Sequence, residues 1–78
     1  MARLLLLGPA REAAGVRHDE IEGDTVAQVL GHCVARYGDA FAAVLAQSQV
    51  WVNGDVANVG DPVGPSDEVA VLPPISGG

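Results

Sequence analysis

Apolar positions along this chain follow two rhythms, and the switch between them marks out its elements. The run Ala2-Arg3-Leu4-Leu5-Leu6-Leu7, closed by Gly8-Pro9, predicts a strand over residues 2–7. Successive strand residues point to opposite faces, so four leucines in a row make both faces of that strand apolar. Residues 8–15 read as a loop with room for one helical turn, and residues 16–21 as a short, polar-faced edge strand. At Gly23-Asp24-Thr25 the period changes. Thr25 and Gln28 have the spacing of a capping box. Val26, Val29, Leu30, Cys33, Val34 and Tyr37 then recur at the three- and four-residue intervals of one helical face. Gly38 predicts the end of this helix as a left-handed cap. Gly31, in mid-helix, costs about 1 kcal/mol relative to alanine, and close packing against a strand is the reason the pattern offers for it.

A second, shorter helical piece led by Asp39 is suggested by Phe41, Val44 and Leu45. The alternation then returns to period two. Gln49-Val50-Trp51-Val52-Asn53 predicts a strand, Asn53-Gly54 a hairpin turn and residues 56–59 its short partner. Turn-rich connectors (Gly60-Asp61-Pro62 and Gly64-Pro65-Ser66-Asp67) lead to a last strand, Glu68-Val69-Ala70-Val71-Leu72. Two strands, a crossing helix, a hairpin and a return to the sheet centre describe an α+β fold, a β-grasp with a mixed four- to five-stranded sheet. One main helix covers one face. Leu4, Leu6, Val50, Val52, Val69 and Val71 are expected beneath it, and Leu5, Leu7, Trp51, Ala70 and Leu72 on the other side. Such a face is too apolar for routine contact with water. Either it docks a partner, or residues 39–47 fold over and hide it.

The chain divides into a body, residues 1–72, and an extended tail, residues 73–78. In the tail, Pro73 and Pro74 fix φ and lack amide donors, so they stop the strand and hold the last residues extended. Gly77 and Gly78 have no Cβ and fit slots that exclude side chains. Six stretched residues reach about 20 Å. The tip carries one group with chemistry to offer, its α-carboxylate.

Composition narrows the partners. Four arginines and no lysine stand against ten carboxylates, a formal net charge of −6. Clustered cations for phosphate are missing, which argues against nucleic acid and anionic membranes and for a protein partner with a basic surface. The length bounds the chain to one domain with a small core. A single cysteine fits a reducing, cytoplasmic setting. The leucine run is too short for a secretory signal, and no stretch approaches a membrane span.

Internal chemistry is sparse. His18 and His32 lack ligand-spaced partners, so no metal site is expected. Cys33, on the helical stripe, reads as a small hydrophobe rather than a nucleophile. The acid pairs Glu20/Glu22 and Asp67/Glu68 read as solvated carboxylates, and no triad, phosphate loop or dinucleotide fingerprint is present. The chain is therefore expected not to be an enzyme on its own and to bind no cofactor. Any reaction it joins is expected to run through its end: an ATP-using partner could adenylate Gly78, after which a persulfide could displace AMP, and the product would be a terminal thiocarboxylate.

Several stretches together resemble the MoaD/ThiS group of ubiquitin-like sulfur carriers, in particular the branch that forms the small subunit of molybdopterin synthase. They are Arg11-Glu12-Ala13-Ala14-Gly15, Thr25-Val26, Val52-Asn53-Gly54, Asp67-Glu68-Val69 and Leu72-Pro73-Pro74-Ile75-Ser76-Gly77-Gly78. The likeness runs over essentially the whole length, and the last stretch is the most specific. The resemblance implies a sulfur carrier for molybdenum cofactor biosynthesis. Its Gly78, with Gly77, would be the site of adenylation and thiocarboxylate formation, activated by an adenylating enzyme of the ubiquitin-activating type. It also implies docking on the large synthase subunit, in a heterotetramer, with the tail in that subunit's active site. Family interface positions fall on Leu7, Arg11, Val56 and Leu72; Trp51 and, in the tail, Ile75 join them as expected partner-binding residues. Thiamine-branch members typically lack the 8–15 segment and the Pro73-Pro74 pair. The chain departs from the family at Leu7, where an aromatic is common, at Gly8-Pro9, at Trp51, where a small residue is expected, and at Val63-Gly64-Pro65-Ser66. Two other readings remain: a carrier serving another acceptor, such as cysteine, thiamine or a thio-modified metabolite, and a β-grasp interaction module with an inert terminus.

Overall fold

The last strand in sequence lies in the middle of the sheet. In the computed structural model, which describes residues 1–74, β1 (Ala2–Leu6) is followed by α1 (Pro9–Ala14), β2 (His18–Ile21), α2 (Val26–Tyr37) and α3 (Asp39–Leu45). The chain continues through β3 (Gln49–Val52), β4 (Asp55–Val56) and β5 (Glu68–Leu72). The strand order is β2-β1-β5-β3-β4. β5 runs parallel to β1 and antiparallel to β3, so the sheet is mixed and the fold is the α+β β-grasp that the element order predicts.

Registers place the faces as the alternation requires. Val52 pairs with Val69, Val69 with Leu4 and Leu4 with Asp19, while Val50, Val71 and Leu6 form the next row. Leu4, Leu6, Val69 and Val71 are fully buried beneath Val26, Val29 and Cys33 of α2 and Phe41 of α3, with Val50 and Val52 packed at the margin. Burying one such side chain contributes about 1.5–3 kcal/mol. The segment 39–47 does not cover the opposite face. It forms α3, drives Phe41 into the core and packs against α1 and α2.

α2 begins where expected. Thr25 Oγ1 accepts from the Gln28 amide at 3.2 Å, and the Gln28 side chain accepts from the amide of Asp24, one residue earlier than a standard capping box. Two more first-turn amides, of Val26 and Ala27, donate to the carbonyls of Asp61 and Val59. That use of residues 59–61 is why β4 stops at Val56 instead of running to 59. Gly38 ends the helix by donating its amide to Val34, but its φ of 91° and ψ of −169° lie outside the left-handed helical well, in a region that glycine alone enters readily. Residues 8–15 hold more helix than one turn: Pro9 opens α1, Ala10 is buried, and Gly15 closes it at φ 80°.

Gly31 corrects its expectation. It is exposed, and a Cβ built there meets nothing within 4 Å, so no strand packs against it. Gly31→Ala is expected to stabilise the domain by about 0.5–1 kcal/mol, because only the glycine entropy penalty is removed. A thermal melt should rise by about 4–8 °C per kcal/mol; a lower midpoint would contradict the open surroundings.

The β3–β4 turn has φ 51° at Asn53 and 86° at Gly54, both positive as a type I′ turn requires. Asn53 also clamps the approach to β5: its side-chain amide donates to Asp67 Oδ1 at 2.9 Å, and its oxygen accepts from the Glu68 amide at 2.9 Å. The bond from the Asn53 side chain, with that from the Gly64 amide, holds the Asp67 carboxyl below its usual pKa. Hydrogen bonds from Tyr37, the Glu20 amide and Arg36 lower Asp19 likewise. A carboxylate with a depressed folded pKa stabilises above its unfolded value, near 3.9, and loses that contribution as pH falls through the folded value. Asp67→Asn is therefore expected to destabilise at neutral pH, with the gap to the parent chain narrowing below about pH 4. Denaturant titrations at several pH values measure it; a gap that widens in acid would reverse the sign.

Candidate functional site

The uncovered sheet face is ordered in rows. Across its middle run Val56, Trp51, Ala70, Leu5 and His18, each opposite the next in the strand registers. Toward the tail lie Gln49 and Leu72, also a register pair, and Leu7 follows two positions beyond Leu5. Toward the other end runs a charged row, Glu20, Arg3 and Glu68, in which the cation sits between two acids. Leu5, Leu7, Trp51, Ala70 and Leu72 are half-buried, while Val56 is 73% exposed. No element among the described residues packs over them. The apolar part is thus concentrated beside the root of the tail, and the charged part at the far end.

Trp51 is the largest group on this face, and its ring is oriented. Its Nε1 donates to Gln49 Oε1 at 3.0 Å, two residues back on the same side of β3. The period-two rule places Gln49 beside Trp51, yet the apolar pattern assigned Gln49 no role. A tethered indole with a small neighbour, Ala70, gives a rigid apolar surface of the kind that anchors interfaces.

The expected partner-binding residues divide. Leu7, Trp51, Val56 and Leu72 belong to this one face. Arg11 stands apart, exposed on α1, which packs chiefly against α3 in the helical layer. Ile75, Gly77 and Gly78 lie outside the described residues. Pro73, at the tail root, rests on Gly8: a Cβ built on Gly8 would meet Pro73 Cδ and Cγ, each at 3.3 Å.

Cys33 is fully buried, and desolvation pushes its thiol up to about 11, away from the thiolate a nucleophile needs. His18 and His32 are exposed, and the described residues hold no group of three or more potential metal ligands. Tyr37, pushed up to about 12 by burial and then by Asp19, donates to that carboxylate and ties α2 to β2. No helix among the described residues is long and apolar enough to cross a membrane.

Comparison with known proteins adds to this geometry. A family model described as the ThiS family matches residues 4–78. The crystal structure of SAMP1 from Haloferax volcanii is 30% identical, with a TM-score of 0.78 over 99% of this chain and 98% of that one. A putative molybdopterin converting factor, subunit 1, from Pyrococcus furiosus is 24% identical, with a TM-score of 0.85 over 95% and 97%. The Amycolatopsis orientalis BexX/CysO complex contains a chain 19% identical, with a TM-score of 0.81 over 100% of both. Among curated proteins none matches.

Proposed function

This chain belongs to the ThiS family of small ubiquitin-like sulfur carriers; from that footing we propose that it is not itself catalytic and supplies the dithiolene sulfur of molybdopterin through Gly78. The observation that carries the proposal is the uncovered apolar row around Trp51 and Leu72, which ends where the tail leaves the body. A partner that grips this face has the tail's root at the edge of its footprint. Support for the molybdopterin branch comes from the chain itself: α1 occupies the 8–15 segment, and Pro73-Pro74 stiffens the tail, two features typically lacking in the thiamine branch.

In the proposed cycle, an adenylating enzyme of the ubiquitin-activating type joins the Gly78 carboxylate to AMP and releases pyrophosphate. The terminal sulfur of a persulfide attacks the carbonyl carbon and AMP leaves. Cleavage of the resulting S–S bond by a thiol then frees the thiocarboxylate. The body contributes no acid or base; it docks and aims. Delivery to the large synthase subunit, in a heterotetramer within the cytoplasm, completes the proposal, and the positions expected to meet that partner are Leu7, Arg11, Trp51, Val56, Leu72 and Ile75.

Trp51 favours one further reading. It is larger than the residue expected at this position of the molybdopterin branch, and so suits a different acceptor-bearing partner, with cysteine or another thio-metabolite as the product. Incubation with an adenylating partner, ATP and a sulfur source should raise the intact mass by one oxygen-to-sulfur exchange at Gly78. An unchanged mass, under conditions that convert a known carrier, would count against both readings. Restoration of molybdoenzyme activity in a strain lacking its own carrier separates them.

A further inference from the structure

A tail that must enter an enclosed site needs a defined direction at its root, and the two prolines there bring no amide donor to fix it. The last β1–β5 contact is the Leu7 amide donating to the Val71 carbonyl at 3.0 Å. Beyond Leu72, Pro73 and Pro74 have no amide hydrogen to donate. Among the described residues no hydrogen bond reaches the Pro73 or Pro74 carbonyl either, and the contact that holds the root is van der Waals contact with Gly8. Gly8 has φ 58° and ψ −131°, a conformation that only glycine adopts readily. Its bare Cα faces the Pro73 ring so closely that any Cβ would sit 3.3 Å from two ring carbons. Pro9 comes directly after it, with φ fixed, and opens α1, whose Glu12 amide donates back to the Gly8 carbonyl at 3.1 Å. The seat is therefore held rigidly from both sides. Without it the tail root has room to swing, because a cleft of about 280 Å³ lies between α3 and the prolines, lined by Ala43, Val44, Gln47, Pro9, Pro73 and Pro74.

We infer that Gly8 is a positioning residue: it seats Pro73 and so sets the direction in which the tail presents Gly78 to the activating enzyme. The inference rests on the carrier reading for its consequence, though not for its geometry. A Cβ at Gly8 requires the Pro73 ring to give by a few tenths of an ångström, which changes the direction in which the chain leaves the body.

The test compares three full-length variants with the parent chain. Gly8→Ala adds the Cβ. Gly15→Ala adds one at another positive-φ glycine of the same segment, where nothing lies within 4 Å, and so controls for backbone strain. Pro73→Ala removes the ring without touching Gly8, and serves if Gly8→Ala does not fold. Adenylation is followed by ATP–pyrophosphate exchange, using an adenylating enzyme that converts the parent chain. Gly8→Ala and Pro73→Ala are expected to lower kcat by about tenfold to hundredfold, as misplacement of a reacting group does. KM should hold, because the sheet face still docks, and Gly15→Ala should keep the parent kcat. A proton–proton Overhauser contact between Gly8 Hα and Pro73 Hδ in the parent chain reports the seat directly. Equal kcat losses in the Gly8 and Gly15 variants, or absence of that contact, would overturn the inference. A parent chain that no adenylating enzyme converts overturns the carrier reading and the delivery role with it, while the Overhauser contact still decides the seat.

Discussion

Removing Gly77 and Gly78 is expected to abolish acyl activation while leaving the melting temperature unchanged. Among the described residues every core residue lies between Ala2 and Val71, and Val71 is the last buried position. The body is therefore expected to fold without the two glycines. On the proposed reading the chemistry, by contrast, runs through the tip alone. Cys33 is fully buried with its thiol pushed up to about 11, and Asp67 is held in a hydrogen-bonded turn. The truncated chain still ends in a carboxylate, now on Ser76, so the experiment separates a need for any carboxylate from a need for the glycine tip. On the proposed reading the activating enzyme's slot admits glycine and excludes the Cβ and hydroxyl of serine. Intact-mass analysis after incubation with the activating enzyme, ATP and a sulfur source reads the result. Conversion of the truncated chain at the parent rate would remove the terminal glycines from the proposal, and a large fall in melting temperature would place them in the fold.

Trp51→Ala is expected to weaken partner binding by about 2 kcal/mol or more, close to thirtyfold, as loss of a central aromatic anchor does. The domain should lose less. Trp51 is half-buried on the open face, outside the core, and its contribution to folding is that of cross-strand contact with Val56 and Ala70, about 0.2–1 kcal/mol per pair. Leu72→Ala should show the same pattern more weakly. Because Trp51 is the sole tryptophan, its fluorescence reports docking without a label: the emission should shift to shorter wavelength as the indole leaves water. Calorimetric titration and denaturant melts together give the binding and folding halves. Unchanged affinity with a large stability loss would mean that the face supports the body and does not dock.

Much of this fold is written in the order of apolar residues. The helix stripe from Val26 to Tyr37, the alternation in Gln49–Val52 and Glu68–Leu72, and Asn53-Gly54 each encode a period or a turn by local sterics. Their elements form where the pattern puts them. The opposite faces of the sheet were legible for the same reason, since a strand cannot change which side its neighbours point to. Where the pattern failed, the missing information was a distant partner. Pro9 opening and Gly15 closing a stretch of alanines do carry the signature of α1, but six residues have little helical stability alone, and burial of Ala10 decides the matter. β4 ends early because Val59 and Asp61 are needed by α2, which lies more than thirty positions upstream. Gly31 suggested crowding, and the structure shows open space.

By itself, then, the sequence determined the elements, the two faces, the acidic and lysine-free surface and the glycine-tipped end, because each depends on near neighbours or on simple counts. Only the tertiary structure decided that segment 39–47 joins the helical layer and leaves Trp51 open, that Arg11 stands off the sheet face, and that Pro73 rests on Gly8. Those outcomes depend on which surfaces meet when distant segments compete for the same core, and no local period records that competition.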